Sequence, residues 1–280
     1  MARTYVKMNG LGNDFVVVEA RAADGPFRPT PEQVRAIADR KGGHGCDQLI
    51  ALEPSDRADV FMRVWNADGG EVETCGNALR CVGWLLMQAS GRDRASIDTA
   101  SGVVAAYGAA DGLVSVDMGR PGLEWDQIPL AEEMDTRGIE LQVGPIDAPR
   151  LHTPGAVSMG NPHVVFFIDQ EMVDADVRGT GSLIEHHPLF PEGVNVGFAL
   201  PLARDRIRLR VWERGAGLTR ACGTGACAAL VACARRGLSD RKATMVLDGG
   251  ELTVEWRESD GHVVMTGAVE VERTGVLTLP

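Results

Sequence analysis

Positive charge is scarce in this sequence. Its 280 residues include 28 Lys and Arg against 39 Asp and Glu, which gives a formal net charge of −11 and a pI near 5.0. Aromatic residues, at 5%, are also few. Proteins that bind phosphate backbones or anionic membrane surfaces need a basic patch, so this composition argues against nucleic acid and against membrane as partners.

Long hydrophobic runs are also missing. No stretch approaches the roughly 20 apolar residues of a membrane span, and the start, "MARTYVKMNGLGNDFVVV", has a polar, Gly-rich middle that is unlike a signal peptide. We therefore expect a cytoplasmic protein. A hydrophobic content of 44% over this length is enough for two medium-sized domains, each with its own core.

The six cysteines do not indicate structural disulfides. A cytoplasmic protein of this size does not need disulfides, so we expect free thiols. Their spacing does not match the usual zinc pairs, and no metal is predicted. No pyridoxal motif is evident, although a Schiff-base lysine stays open among Lys7, Lys41 and Lys242. The cysteines are Cys46, Cys75, Cys81, Cys222, Cys227 and Cys233.

One pattern occurs twice. "VWNADGGEVETCGNALRCVGWLL" begins at Val64, and "VWERGAGLTRACGTGACAALVAC" begins 147 positions later, at Val211. Each copy has Val-Trp, nine residues and Cys-Gly, followed by an apolar stretch. The same shift, or one of 148, aligns polar residues in other segments: Asn13 with Asn161, Gln48 with Asn195, and Asn66 with Glu213. Two copies indicate a duplicated domain with two half-sites facing each other across an interface.

The coarse pattern predicts an α+β fold. Short β-rich runs such as "FVVVEA", "VFMRVW", "HVVFFI" and "RIRLRVW" dominate both halves. A helix is predicted from Pro31 to Arg40 with Thr30 as N-cap, and two more begin at the Cys-Gly sites. We expect two pseudo-symmetric domains, each a curled, mainly antiparallel sheet or barrel around a central helix, over residues 1–121 with 268–280 and over 122–267.

The repeated cysteines are therefore predicted to lie at helix N-termini. The helix dipole and the unpaired N–H groups there favour a thiolate and lower a pKa of about 8.5 toward neutrality. The Gly that follows each Cys allows a carboxylate to approach the backbone closely. Cys81, Cys227 and Cys233 fall inside the helices, where buried, inert thiols are expected.

Two such thiols on opposite sides of one carboxylate point to racemisation or epimerisation. One removes the proton next to the carboxyl group and the other returns a proton to the opposite face. Two alternatives stay open: a cofactor-independent racemase of another amino acid, such as histidine or proline, and a binding protein that holds an amino acid without chemistry.

The sequence resembles the diaminopimelate epimerase family over nearly its whole length. The matching stretches are "KMNGLGNDFVVV", "GCDQL", "NADGGEVETCGNALRC", "AVSMGNPHVV", "FPEGVNVGF", "RLRVWERGAGLTRACGTGACAA" and "MTGAVEV", in family order. The resemblance implies two α/β halves with the active site in the cleft between them. It implies an isomerase that needs no cofactor and converts LL- to meso-diaminopimelate in lysine and peptidoglycan precursor biosynthesis.

The resemblance also implies roles for individual residues. Cys75 and Cys222 would be the acid and base, assisted by His163 and Glu213. The reacting carboxylate would bind Gly76, Asn77, Gly223 and Thr224, with Asn13 and Gln48 lining the reaction centre. The distal amino acid end would bind Asn66, Asn161, Asn195, Arg214 and the nearby Glu213. A homodimer is implied by some members, through a closing segment in which Arg273 replaces a common aromatic residue.

Overall fold

A computed structural model describes residues 2–21 and 25–279. Its contacts divide the chain into two compact units, Met1–Asp117 with Thr266–Pro280 and Met118–Met265. The limits lie within four residues of the boundaries predicted at 121 and 268. That the units correspond to separate domains stays a prediction.

The first unit is a mixed, mainly antiparallel sheet with two helices. Its strands are β1 (Ala2–Gly10), β2 (Asn13–Glu19), β3 (Gln48–Glu53), β4 (Val60–Asn66), β5 (Glu71–Val72), β6 (Arg94–Thr99), β7 (Gly102–Gly108), β8 (Val114–Asp117) and β19 (Glu270–Thr278). The helices are α1 (Pro31–Ala38) and α2 (Gly76–Ser90). The pairings run in an open series from β19 through β1, β2, β3, β4, β6 and β7 to β8.

The second unit repeats this design. Its strands are β9 (Gln142–Val143), β10 (Leu151–His152), β11 (Gly155–Ser158), β12 (Pro162–Phe167), β13 (Asn195–Ala203), β14 (Arg206–Glu213), β15 (Gly217–Thr219), β16 (Lys242–Leu247), β17 (Gly250–Trp256) and β18 (Val263–Gly267), the last crossing the unit limit. The helices are α3 (Asp174–Glu185) and α4 (Gly223–Arg235). The α+β class predicted from the sequence is confirmed.

The four helices occupy equivalent places in the two units. Strands β2 and β3 are parallel, as are β12 and β13, and the chain between them contains α1 or α3. Strands β4 and β6 are parallel, as are β14 and β16, and the chain between them contains α2 or α4. Parallel strands need such crossovers, whereas antiparallel neighbours that follow one another in the chain, such as β1 and β2 or β6 and β7, are joined by short turns.

Helices α2 and α4 form the centre of their units. All residues from Gly223 to Cys233 are buried, and so are those from Gly76 to Gly83. A helix that is buried on every side needs small or apolar residues all round, which explains the Ala-rich "GACAALVAC" of α4. The predicted starts of both helices are confirmed, because Cys75 and Cys222 are the N-caps.

Helix α1 also begins where the sequence predicts. Thr30 accepts a hydrogen bond from the Gln33 backbone N–H at 3.3 Å, and Gln33 Oε1 accepts one from the Thr30 N–H at 2.9 Å. The end is different, since the helix stops at Ala38 rather than Arg40. Asp39 leaves the helical conformation, and its carboxylate accepts from the Gly42 N–H at 2.8 Å, a side-chain turn that competes with the helix.

Helix α3 was not predicted. Its sequence, "DADVRGTGSLIE", contains Gly179 and Gly181, and glycine lowers helix propensity by about 1 kcal/mol relative to alanine. Gly181 is required by packing: a Cβ there would lie 2.4 Å from Trp212 Cγ. In the described part of the chain, no helix has the length and apolar character to cross a membrane.

The two glycines of α3 give a matched pair of substitutions. Gly181→Ala should lower the free energy of unfolding by about 1–3 kcal/mol, since the methyl group overpacks against Trp212. Gly179→Ala should raise it by up to about 1 kcal/mol, because no atom other than those of its chain neighbours and its own helix backbone lies within 4 Å of a Cβ at that position. Urea unfolding of both variants checks this, and a destabilised Gly179→Ala would contradict the helical account.

Candidate active site

The residues predicted for the site lie at one edge of each unit. In the first unit Gln48 begins β3 opposite Asn66, which ends β4, and Phe15 near the start of β2 is in register with Gln48. Helix α2 begins ten residues after Asn66, at Gly76. In the second unit His163 near the start of β12 pairs with Asn195, the first residue of β13, and Glu213 ends β14. Each edge thus gathers two strand starts, one strand end and a helix N-terminus.

Cys75 caps the central helix of the first unit. Its backbone is extended, with φ −144° and ψ 116°, and the residue is half-buried. Its Sγ lies 3.9 Å from Oδ1 of Asn13. Beside this pair, Gln48 Nε2 donates to Asn66 Oδ1 at 2.9 Å. The first unit therefore holds the thiol and three of the amides that the sequence analysis names, and their roles stay predictions.

Cys222 caps the central helix of the second unit and is only 4% exposed. Its Sγ accepts a hydrogen bond from the Gly225 N–H at 3.3 Å and lies 3.6 Å from Thr224 Oγ1. The sulfur thus satisfies one of the N–H groups that a helix start leaves without an intrahelical partner.

The electrostatics at Cys222 differ from the prediction of a lowered pKa. Burial raises the pKa of this thiol well above its ordinary value, and the nearby carboxylate of Glu213 raises it further. The hydrogen bonds from Thr224 and Gly225 oppose this without reversing it. Burial also raises the pKa of Glu213. The helix start does not offset the loss of water, so Cys222 is held as the neutral thiol.

The remaining cysteines are buried, as the sequence predicts for the three inside the helices but not for Cys46. Cys81, Cys227 and Cys233 are all fully buried within their helices, and Cys46 is 2% exposed. Burial raises the pKa of Cys46, Cys81 and Cys233 to about 12. Among residues 2–21 and 25–279, no three His, Cys, Asp or Glu side chains are grouped in a way that would hold a metal ion.

A second amide is held by an imidazole. His163 Nε2 lies 3.0 Å from Asn161 Oδ1, and Asn161 Nδ2 donates to Thr224 Oγ1 at 3.4 Å. Because the amide oxygen only accepts, Nε2 carries the proton. His163 is 1% exposed, and burial, aided by the charge of Arg214, lowers its pKa to about 3. The ring is therefore neutral, which the sequence alone does not reveal.

Two of the predicted distal-end residues, Asn195 and Arg214, are linked at the turn after β14. The Arg214 backbone N–H donates to Asn195 Oδ1 at 3.0 Å, and Asn195 Nδ2 donates to the Pro162 carbonyl at 2.9 Å. The guanidinium of Arg214 is exposed and donates to the Glu192 carbonyl at 2.8 Å. Asn195 thus links the starts of β12 and β13 to the turn that carries Arg214.

Sequence reasoning missed the residue that supports this turn. Glu185, at the end of α3, is 6% exposed and accepts from Trp212 Nε1 and from the Gly215 N–H, each at 2.7 Å. Its two bonds bracket Glu213 and Arg214. A charged residue at the end of a glycine-containing helix gave no pattern that could identify it; only the fold brings it to the turn.

The neutral His163 predicts a pH effect on stability. The unfolded side chain takes up a proton near 6.5 and the folded one only near 3, so the unfolded state binds more protons between these values. The contribution of neutral His163 to the free energy of unfolding is complete above pH ~6.5. It is lost as the pH falls, by up to about 1.4 kcal/mol per pH unit. Urea unfolding at about pH 7 and about pH 5 should show a smaller loss for His163→Gln than for wild type. The exposed His152 offers His152→Gln as a control that should behave as wild type.

The amino-acid sequence matches a known protein family. The family model described as diaminopimelate epimerase matches residues 5–124 and 155–272. The diaminopimelate epimerase of Caulobacter sp. (strain K31) is 63% identical, with 99% of this chain and 98% of the relative covered, and that of Rhodospirillum centenum is 51% identical over 99% and 93%.

A solved structure shares the fold. The hydroxyproline epimerase of Agrobacterium vitis matches with a TM-score of 0.67 at 16% identity, covering 99% of this chain and 92% of that one. At that identity the likeness concerns the fold alone. The matched family segments, in contrast, include both helix-capping cysteines and the amides beside them. The chain therefore belongs to the diaminopimelate epimerase family and is an isomerase.

Proposed function

We propose that this protein converts LL-diaminopimelate to meso-diaminopimelate by a two-base proton transfer at one α-carbon, in lysine and peptidoglycan precursor biosynthesis. One observation supports this most strongly: a cysteine caps the buried central helix at the same place in both units of a chain that belongs to this family. The proposal requires the sulfurs of Cys75 and Cys222 to reach opposite faces of one carbon.

The proposed step balances without a cofactor. The thiolate of Cys75 takes the α-proton, so that the C–H bond breaks, an S–H bond forms and the electron pair moves toward the substrate carboxylate. The thiol of Cys222 gives its proton to the opposite face, which forms the new C–H bond and leaves a thiolate. We assign the donor role in this direction to Cys222 because burial and Glu213 hold it protonated. The reverse reaction begins from the exchanged protonation states.

The helix starts would stabilise the developing charge. The backbone N–H groups of Gly76 and Asn77, and of Gly223 and Thr224, belong to the first turns of α2 and α4. Such groups have no intrahelical acceptor and carry the positive end of the helix dipole. Donors aimed at a carboxylate that gains negative charge in the transition state lower the barrier to proton removal.

The other predicted residues receive proposed roles from their contacts. Glu213 lies beside Cys222 and tunes its protonation. His163 holds Asn161 in one orientation. Asn13 and Gln48 line the reaction centre, and Asn66, Asn161, Asn195 and Arg214 bind the distal amino acid end, with Glu213 nearby. Asn195 already fixes the Arg214 backbone, which leaves the guanidinium to pair with a carboxylate.

The setting of the enzyme is also proposed. The acidic composition and the pathway of the family support action in the cytoplasm on a small-molecule substrate, with no cofactor and no metal. A homodimer is proposed as the assembly to test first. A racemase whose substrate has only one α-amino carboxylate group would have no use for Arg214. The presence of Arg214 therefore favours diaminopimelate, which has two such groups.

Removal of either catalytic sulfur should abolish turnover. Cys75→Ala and Cys222→Ala should each lower kcat by at least about a hundredfold, since a general acid or base contributes about that much or more and neither group reaches both faces. Conversion of LL-diaminopimelate followed by chiral chromatography measures it. Cys233→Ala, which removes a buried thiol from α4, serves as the control and should retain activity.

The isotope pattern distinguishes the mechanism from a one-base route. In deuterated water the wild type should place one deuterium at the inverted carbon of the product, while unreacted substrate keeps its protium at early times. Early washout of protium from the substrate, or more than about a hundredth of wild-type kcat in either active-site variant, would contradict two-base catalysis.

Arg214 should determine substrate selectivity. Arg214→Met keeps bulk and removes charge, so the distal carboxylate would be left unpaired in the bound complex at a cost of about 2–5 kcal/mol. The expected result is a raised KM for diaminopimelate, with a lower kcat if the distal end also promotes closure. Arg206→Met, which breaks an exposed ion pair with Glu251, is the control. Normal kinetics for Arg214→Met would disprove diaminopimelate as the substrate. So would equal wild-type activity on an amino acid with only one α-amino carboxylate group. Neither result would contradict the two-thiol proton transfer.

A further inference from the structure

The orientation of the Asn13 amide is fixed by a carboxylate. Asn13 Nδ2 donates to Asp47 Oδ2 at 3.1 Å, and Asn13 Oδ1 lies 3.9 Å from Cys75 Sγ. An ionised carboxylate only accepts hydrogen bonds. The amide must therefore turn its NH2 group to Asp47 and its oxygen to the thiol. The opposite orientation would set two acceptors against each other.

Asp47 is itself held in place by Asp14 and Arg40. Its Oδ2 also accepts from the Asp14 N–H at 3.0 Å, while its own N–H donates to Asp14 Oδ1 at 3.0 Å. Arg40 donates to Asp47 Oδ1 at 2.7 Å and to both oxygens of Asp14 at 2.8 and 2.9 Å. The two aspartates thus bind each other's backbone, and one arginine clamps both.

The charges in this network are compensated. Lys7 Nζ lies 2.9 Å from Asp14 Oδ2 and donates to the Gly45 carbonyl. Burial alone would raise the pKa of Asp14, but hydrogen bonds from Arg40 and Lys7 outweigh it and hold that pKa well below its usual range. Burial and the neighbouring Asp14 carboxylate raise the pKa of Asp47, while the hydrogen bond from the Asp14 N–H and the charge of Arg40 oppose the rise. A paired arrangement of this kind keeps Asp47 as a fixed acceptor.

The second unit fixes its equivalent amide differently. The repeat shift places Val194 where the first unit has Asp47, and Pro162 where it has Asp14. Asn161, the counterpart of Asn13, instead receives the His163 proton on its oxygen and turns its NH2 to Thr224, the neighbour of the Cys222 sulfur. The two asparagines therefore present opposite ends of their amides toward the two thiol segments.

We infer that Asp47 is a positioning residue, which acts through Asn13 to present an amide oxygen to Cys75 and to the reaction centre beside it. An oxygen there accepts from the thiol or from the ammonium group of a bound amino acid, whereas an NH2 would repel that ammonium and stabilise a thiolate. The expected effect of Asp47 on turnover rests on the proposed function, whereas its expected effect on the reactivity of the Cys75 thiol does not.

A double-mutant cycle between Asp47 and Asn13 tests the inference. Asp47→Ala should lower kcat about 10- to 100-fold in the wild-type background, because misplacing a group at the reaction centre costs about that much. In an Asn13→Ala background the same change should alter kcat by less than about twofold, since the amide through which Asp47 acts is gone. A purely structural role would give equal losses in both backgrounds and would overturn the inference.

A second readout needs no substrate. The rate of iodoacetamide alkylation at Cys75, followed by peptide mass mapping, should rise in Asp47→Ala because a released amide turns N–H groups toward the sulfur and favours the thiolate. The rise should be absent when Asn13→Ala is the background. If wild type fails to epimerise diaminopimelate, the proposed function fails while the alkylation cycle still decides the role of Asp47.

Two further variants guard the result. Asp47→Leu keeps side-chain bulk should Asp47→Ala fold poorly, and because it too offers no acceptor to Asn13 it should show the same dependence on Asn13. Asp59→Ala removes a similar carboxylate of the first unit, one that binds the Ser96 N–H at 2.7 Å and Arg92 at 2.6 Å without touching Asn13. It should leave both rates unchanged. Equal effects of Asp59→Ala and Asp47→Ala would also overturn the inference.

Discussion

The burial of one helix inside each unit is the constraint on which the candidate site depends. Because α2 and α4 fill the centre of their sheets, each enters near the edge where β4 or β14 ends, after the short strand β5 or β15 that pairs with that end. The same edge carries the starts of the neighbouring strands, as the pairing of Gln48 with Asn66 shows. The helix start therefore brings the N–H groups of its first turn and its capping cysteine to the side chains that the strand ends supply, without any long loop.

Much of this could be predicted from the sequence because it follows from local rules. The Cys-Gly helix starts and the Thr30 cap are decided by residues close in sequence, and the repeat transfers each assignment to the second copy. Helix α3 could not be found in this way, since Gly181 is selected by Trp212, which lies 31 residues away in the chain. Nor could the raised pKa of Cys222, because burial depends on every element that surrounds α4.

The contacts that distinguish the two units were also beyond the sequence. The repeat correctly aligned Asn13 with Asn161, but it could not say which end of either amide faces its thiol. That depends on third residues, Asp47 just before β3 in one unit and His163 on β12 in the other, which have no counterparts at the shifted positions. The two units share their arrangement of strands and helices, but they differ in the groups that orient the amides of Asn13 and Asn161.

Unequal thiol environments have a definite consequence for a reversible proton exchange. In the mechanism that we propose, a difference between Cys75 and Cys222 changes the protonation state of the free enzyme and the rates in each direction, but it cannot alter the equilibrium between stereoisomers. A substrate of one configuration requires the thiolate on one side, and its product leaves the thiolate on the other. Each turnover in one direction must therefore be followed by a proton exchange that restores the first state. Burial beside Glu213 biases that reset toward a protonated Cys222, which favours the enzyme form ready for proton removal by Cys75.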